Sequence, residues 1–196
     1  EEVYMTTRLA GEKTRFFPFN KCYQNKGVES QSGYRTSYLW EDVLRRDSLL
    51  DLLQNYIEVQ VNEEKVYNEK TGKLETKTEE ALIFPRFHQR RAVQKLVAHS
   101  KQNGAGHRYL IQHSAGSVKS NTISWLAFRL SSLYQKMYEG SDKAVFDSVI
   151  VVTDRRALDK QLGDNIAQFA QTEGEVVLIN DNKTSQDLKK AIEGKK

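Results

Sequence analysis

The chain has 196 residues, with 30 Lys and Arg against 26 Asp and Glu, a net charge of +4, and 38% apolar residues. That suffices for one α/β domain, or for a small domain with an appendage, and its mild basic excess is compatible with a polyanionic partner without requiring one. The longest aliphatic run, Val149-Ile150-Val151-Val152, is too short to cross a bilayer, and the first residues, Glu1-Glu2-Val3-Tyr4, lack the basic start of a secretory signal.

A single cysteine, Cys22, excludes an internal disulfide and a multi-cysteine zinc site, so a cytoplasmic protein with no membrane partner is the expectation. Along the chain, Val3-Tyr4-Met5-Thr6-Thr7 alternates as an edge strand does, and Pro18 among Phe16, Phe17 and Phe19 reads as a turn or strand end. Residues 23–36 have no periodicity and read as a loop. Over 38–59 the apolar positions Leu39, Val43, Leu44, Leu49, Leu50, Leu52, Leu53, Tyr56 and Ile57 recur at helical spacing, with a break expected near Asp47-Ser48. Residues 60–80 are mostly Glu, Lys, Thr and Asn, which suits an exposed hairpin tip or linker.

The second half changes rhythm. Helices are expected over 86–100, 121–138, 156–170 and 185–192, and short buried-type strands over 109–113, 145–153 and 176–180. Strands alternating with helices imply right-handed βαβ units and a parallel sheet, so the expected class is α/β. Trp40 and Trp125 fall on apolar helical faces and are expected in the core.

Between the first of those strands and its helix stands His113-Ser114-Ala115-Gly116-Ser117-Val118-Lys119-Ser120. A phosphate-binding loop has the form G-x-x-x-x-G-K-[ST], in which successive backbone N–H groups curl around an anion at a helix N-terminus. Here Lys119 is placed to reach the β- and γ-phosphates and Ser120 to take one Mg²⁺ position. His113 replaces the first glycine and Val118 the second. The second departure is the serious one, because a β-branched residue is costly wherever φ must be positive. It is expected to weaken nucleotide binding by roughly 1–3 kcal/mol. An ordinary strand–helix turn is the plain alternative for this segment.

Two further segments carry candidate chemistry. In Phe84-Pro85-Arg86-Phe87-His88-Gln89, the Gln89 amide offers the donor and acceptor that complement adenine, and Phe87 could stack on the base; capping or packing is the other reading of Gln89. In Thr153-Asp154-Arg155-Arg156, at the carboxyl end of a strand, the arginines could hold a nucleic-acid phosphate, or Thr153 or Asp154 could simply cap a helix. His88, His99, His107 and His113 have no partners at metal-ligand spacing, and Cys22 has nothing that marks it as a nucleophile.

Taken together, "FPRFHQRRAV", "YLIQHSAGSVKSNTISWLA" and "VIVVTDRRALDKQL" resemble the Q motif, Walker A loop and motif Ia of the motor (R) subunit of type I restriction enzymes. Upstream, "EVYMTTRLAGEKTRFFPFNKC" resembles the end of that subunit's nuclease domain, and "GYRTSYLWEDVLRRDSLLDLLQNYIEVQ" its helical linker. The resemblance covers nearly the whole chain in four ordered blocks. It implies three parts: 1–37 as nuclease exit and linker start, 38–84 as helical linker with an exposed charged hairpin or loop, and 85–196 as the N-terminal part of a first RecA-like motor domain.

The family is a superfamily 2 helicase-like translocase joined to an endonuclease in a restriction-modification system, so the resemblance implies an ATP-hydrolysing enzyme acting on double-stranded DNA with methyltransferase and specificity subunits. Carried over by position, Ser114, Ala115, Gly116, Ser117, Val118, Lys119 and Ser120 would bind ATP, with Mg²⁺ on Ser120. Gln89 and Phe87 would hold adenine, and Asp154, Arg155 and Arg156 would lie by DNA. No D-E-x-H-like box occurs in these residues, and the nuclease carboxylates would precede residue 1. The expectation is therefore a segment that neither hydrolyses ATP nor cuts DNA alone. The alternatives are a non-catalytic remnant that docks on DNA or a subunit, or part of a different superfamily 2 helicase.

Overall fold

Pro18 cannot donate to a β-ladder, and it closes a strand of only two residues. In the computed structural model of the chain, strand β1 (Tyr4–Met5) pairs antiparallel with β2 (Phe17–Pro18). The structure describes residues 1–68, 72–114, 116–136, 142–154, 156–169, 176–179 and 182–194. It separates into two compact units, residues 1–88 and 89–196.

In the first unit, the segment after β2 is tied down by side-chain amides rather than by regular structure. Asn25 is fully buried; its Nδ2 donates to the Glu1 carbonyl and to Asn20 Oδ1, and its Oδ1 accepts from the Lys21 N–H at 2.9 Å. Phe19, Phe84, Phe87 and Tyr38 form a cluster of edge-to-face rings at 5.2–5.8 Å, and the Tyr38 hydroxyl donates to the Phe19 carbonyl. Val43, Leu52 and Tyr56 complete this core.

The helix expected over 38–59 is shorter and breaks earlier than the sequence suggests. A π-helical turn at Leu39–Val43 ends at Leu44, and Arg45 at ψ 148° restarts the chain as helix α1 (Arg46–Asn55). Trp40 is a correction to the expected core. Its place on the π-helical turn leaves it 49% exposed, in edge contact with Tyr34. Strands β3 (Glu58–Asn68) and β4 (Lys73–Ile83) follow as a long antiparallel hairpin, with Glu58 opposite Ile83 and Asn68 opposite Lys73. Hence residues 60–68 and 73–80 of the polar stretch are paired strand, exposed along β4 as its charges require.

Helix α2 (Phe87–Asn103) runs across the division between the units. The second unit then holds α3 (Lys119–Ser131), a short hairpin of β5 (Tyr134–Lys136) and β6 (Asp142–Ala144), α4 (Arg156–Phe169) and α5 (Ser185–Glu193). Its buried residues include Val93 and Val97 of α2, Trp125 and Ala127 of α3, Leu133 and Leu162, and α3 packs on α4. Gly163 lets α4 lie close to Leu178, since a Cβ there would meet Leu178 Cδ2 at 2.6 Å.

The class is α/β, but the expected parallel sheet is absent among the described residues, where all three sheets are two-stranded and antiparallel. Residues 109–113, 145–153 and 176–179 run without strand pairing. A parallel strand is stable only with neighbours on its edges and cover on both faces, whereas here Leu110 is 92% and Val152 86% exposed. The helix expected to reach residue 138 stops at Ser131 for a local reason. The hydroxyls of Ser131 and Ser132 both bond back to the Phe128 carbonyl, at 2.8 and 3.1 Å, and compete with continuation of the helix. Among the described residues no helix is long and apolar enough to cross a membrane.

Helix α5 carries a capping box: the Thr184 N–H and hydroxyl both donate to Asp187 Oδ2, at 2.7 and 2.9 Å. These bonds, the backbone one foremost, hold the Asp187 carboxyl below its ordinary value. A depressed folded pKa gives support that is present above the unfolded value and lost as pH falls through the folded one. Protection of the amides in the first turn of α5, measured against intrinsic exchange at each pH, should therefore fall on acidification below the ordinary aspartate range, and Asp187→Ala should remove that pH dependence. An unchanged profile in the variant would show that the box does not support the helix.

Candidate functional site: the loop before helix α3

Helix α3 opens at Lys119 without a side-chain cap, and its first turn holds no acidic residue. The first N–H groups of a helix have no intrahelical partner, so an uncapped N-terminus presents donors and positive potential to an anion. The preceding loop turns through two left-handed residues, Gly116 at φ +76° and Val118 at φ +53°, ψ +57°. A left-handed residue directly before a right-handed one gathers successive N–H groups into a concavity suited to anions. The Ser117 N–H donates to the Ser114 carbonyl at 3.3 Å, closing the turn.

Lys119 folds back over this turn. Its ammonium donates to the carbonyls of His113 at 3.2 Å and Ser114 at 2.9 Å. The cation is thus held at the loop and not extended into solvent. Ser120, half-buried, follows it in the first turn of α3. Ser117 is buried, and its Oγ is a polar atom without a hydrogen-bond partner. An ammonium, uncapped helical amides, a serine hydroxyl and an unpartnered buried hydroxyl converge here on one short segment. That donor set fits a phosphate chain with its Mg²⁺, which Lys119 and Ser120 would hold.

Val118 occupies the left-handed position in which the sequence raised concern about a β-branched residue. It is the residue directly before α3, with its side chain 46% exposed. Such a conformation costs a non-glycine residue of order 1–3 kcal/mol and persists only when its surroundings enforce it. Those surroundings include Gln89. Its side chain is 2% exposed, and its Nε2 donates to the Ser117 carbonyl at 3.1 Å and the Val118 carbonyl at 2.9 Å. Gln89 thus stands at the loop, with its amide hydrogens directed at the loop backbone.

The other candidates are placed differently. Phe87 is 6% exposed, packed edge-on to Phe19 and Tyr38, so its ring serves the core of the first unit and presents no open face for stacking on a base. Asp154 is exposed on a bend, and Arg156 is the first residue of α4, a different helix start from that of the loop. Ala115 and Arg155 lie outside the described residues. Sequence reasoning did not single out Thr122, whose buried Oγ1 in α3 also has no partner; a threonine in a helix interior carries no signal of that kind. His99 Nδ1 lies 2.7 Å from the Tyr109 hydroxyl, with the His107 ring beside it. Among the described residues no group of three or more His, Cys, Asp or Glu side chains could hold a metal ion.

A family model described as SWI2/SNF2 ATPase matches residues 88–196, more than half of the chain. No curated protein and no solved structure matches the sequence.

Proposed function

The chain belongs to the SWI2/SNF2 ATPase family, and from that premise we propose that residues 114–120 bind the phosphates of ATP with Mg²⁺, within the motor of a type I restriction enzyme's R subunit. The observation that carries the nucleotide reading is the Lys119 ammonium folded onto the His113 and Ser114 carbonyls at an uncapped helix N-terminus. In this reading Lys119 neutralises phosphate charge, the amides opening α3 orient the phosphates, and Ser120 holds Mg²⁺. The metal, when bound, supplies charge neutralisation to the phosphate oxygens. Gln89 positions the loop from beneath.

The restriction-subunit assignment rests on the four ordered sequence blocks. It carries with it duplex DNA as the track, with Asp154, Arg155 and Arg156 beside the backbone, and the methyltransferase and specificity subunits as partners. Hydrolysis and cleavage are not expected of these residues alone, because their sequence contains no D-E-x-H-like box.

A second reading, a docking module with a decayed nucleotide site, draws on Val118, a left-handed valine directly before α3. Titration with Mg²⁺·ATP, using adenosine as the control without phosphates, separates the two. Saturable binding of ATP at millimolar concentration or better, with adenosine much weaker, supports the ATP site. No binding by the natural chain or by Val118→Gly would sink it in favour of the docking module. On DNA, affinity should fall with salt by about 0.9 log units per log unit for each phosphate contacted. A flat salt response would contradict backbone contacts by the arginines.

A further inference from the structure

Two features of residue 118 belong together: a valine stands in a conformation that valine resists, and one buried amide holds its carbonyl. We infer that Gln89 is a positioning residue for the loop, a latch that keeps Val118 left-handed and so keeps the N-terminus of α3 open as an anion cradle.

A glutamine NH₂ has two hydrogens. Nε2 of Gln89 has two loop acceptors, the carbonyls of Ser117 and Val118. These are the carbonyls of the two peptides on either side of the Val118 N–Cα–C unit. Fixing both fixes the rotation about φ and ψ of that residue. Gln89 can do this because it is 2% exposed and stands on the first turn of the 17-residue helix α2. A side chain packed in that way has few other rotamers available.

Without the two bonds, Val118 would relax toward the right-handed or extended regions that β-branched residues prefer. The peptides flanking it would then rotate, and the N–H groups of Val118 and Lys119 would cease to point to one side. The latch is therefore specific to a chain with valine here. Glycine occupies the left-handed region at no steric cost and has no need of it.

The inference rests on the nucleotide reading only for its consequence in binding; its structural core is tested without nucleotide. The experiment uses four forms of the full chain: natural, Gln89→Met, Val118→Gly, and the double variant. Methionine keeps the length of glutamine and removes both donors. The exchange rate of the Ser117 amide, bonded to the Ser114 carbonyl at 3.3 Å, is measured first, then the Kd for Mg²⁺·ATP.

Gln89→Met should speed exchange of the Ser117 amide, which is bonded to the Ser114 carbonyl, by about tenfold when residue 118 is natural, a size in keeping with two loop acceptors losing their partner. In the Val118→Gly background the acceleration should be much smaller, about twofold. Equal acceleration in both backgrounds, or none in either, overturns the latch, because a residue that merely fills space would act alike in both. Should Gln89→Met lose the protection of α2 and α3 altogether, the comparison is made with Gln89→Asn, which keeps the amide but withdraws it by one methylene.

The two readings fail separately. Background-dependent exchange with no ATP binding in any form keeps the latch and removes the nucleotide site. Tight ATP binding with background-independent exchange keeps the site and removes the latch.

Discussion

Lys119→Ala should weaken Mg²⁺·ATP binding by about 10- to 150-fold, the loss of a charge-assisted hydrogen bond worth about 1.5–3 kcal/mol. Its folding stability should change by no more than about 0.5 kcal/mol, as is usual for an exposed position, because Lys119 is exposed and its two bonds to the His113 and Ser114 carbonyls lie at the surface. Isothermal titration gives the first quantity and urea denaturation the second. Loss of stability without loss of affinity would show the lysine to be a strut for the turn and not a phosphate ligand. Lys119→Arg keeps the charge but brings a planar fork in place of a compact ammonium. It should bind more weakly than the natural chain and more tightly than the alanine form.

Val118→Gly should raise both stability and nucleotide affinity. Relief of a left-handed valine is worth about 1–3 kcal/mol. Two effects oppose it: glycine gains about 0.4–1 kcal/mol of unfolded-state entropy, and the partly buried valine methyls are lost. The net expectation is a gain of about 1 kcal/mol in stability, since the side chain is 46% exposed and contributes little burial. Nucleotide affinity should rise as well, by about tenfold, equivalent to about 1.4 kcal/mol, because the methyls leave the mouth of the loop. Destabilisation by the glycine would mean that Val118 packs more than it strains. Unchanged affinity would mean that its side chain stands clear of the phosphates.

The sequence made the loop legible because each part of that signal is local. Small residues, then Lys119 and Ser120, then an apolar helical period describe a turn into a helix without reference to any distant residue. The same is true of α4 and α5, whose starts at Arg156 and Ser185 fall where the expected helices begin. Val118 is the clearest instance. A rule about β-branched residues and positive φ, applied to one position, matches the φ of +53° found there.

What was not legible depended on contacts between segments far apart in the chain. Phe87 reads from the sequence as a ring that could stack on a base, and its packing on Phe19 and Tyr38 depends on segments far away in the chain. Trp40 shares the helical spacing of its neighbours, but the π-helical turn at Leu39–Val43 rotates that spacing and turns the indole outward. Apolar runs at 109–113 and 145–153 have strand composition, yet pairing is a property of two segments, and no run of residues contains its partner. Gln89 shows the same limit at the site itself. From the sequence it reads as an adenine-binding amide or as a capping or packing residue, and that its amide is directed at the Ser117 and Val118 carbonyls is a matter of three-dimensional placement.

The nucleotide account turns on where an added triphosphate lands. Backbone amide resonances recorded while Mg²⁺·ATP, and separately inorganic triphosphate, are titrated into the chain report this residue by residue. Both ligands should shift Gly116, Ser117, Val118, Lys119 and Ser120 together, saturating with one Kd for each ligand and leaving the hairpin of β3 and β4 unmoved. Shifts scattered over the lysine-bearing surface, or an unaffected 116–120 segment at saturating nucleotide, would contradict it.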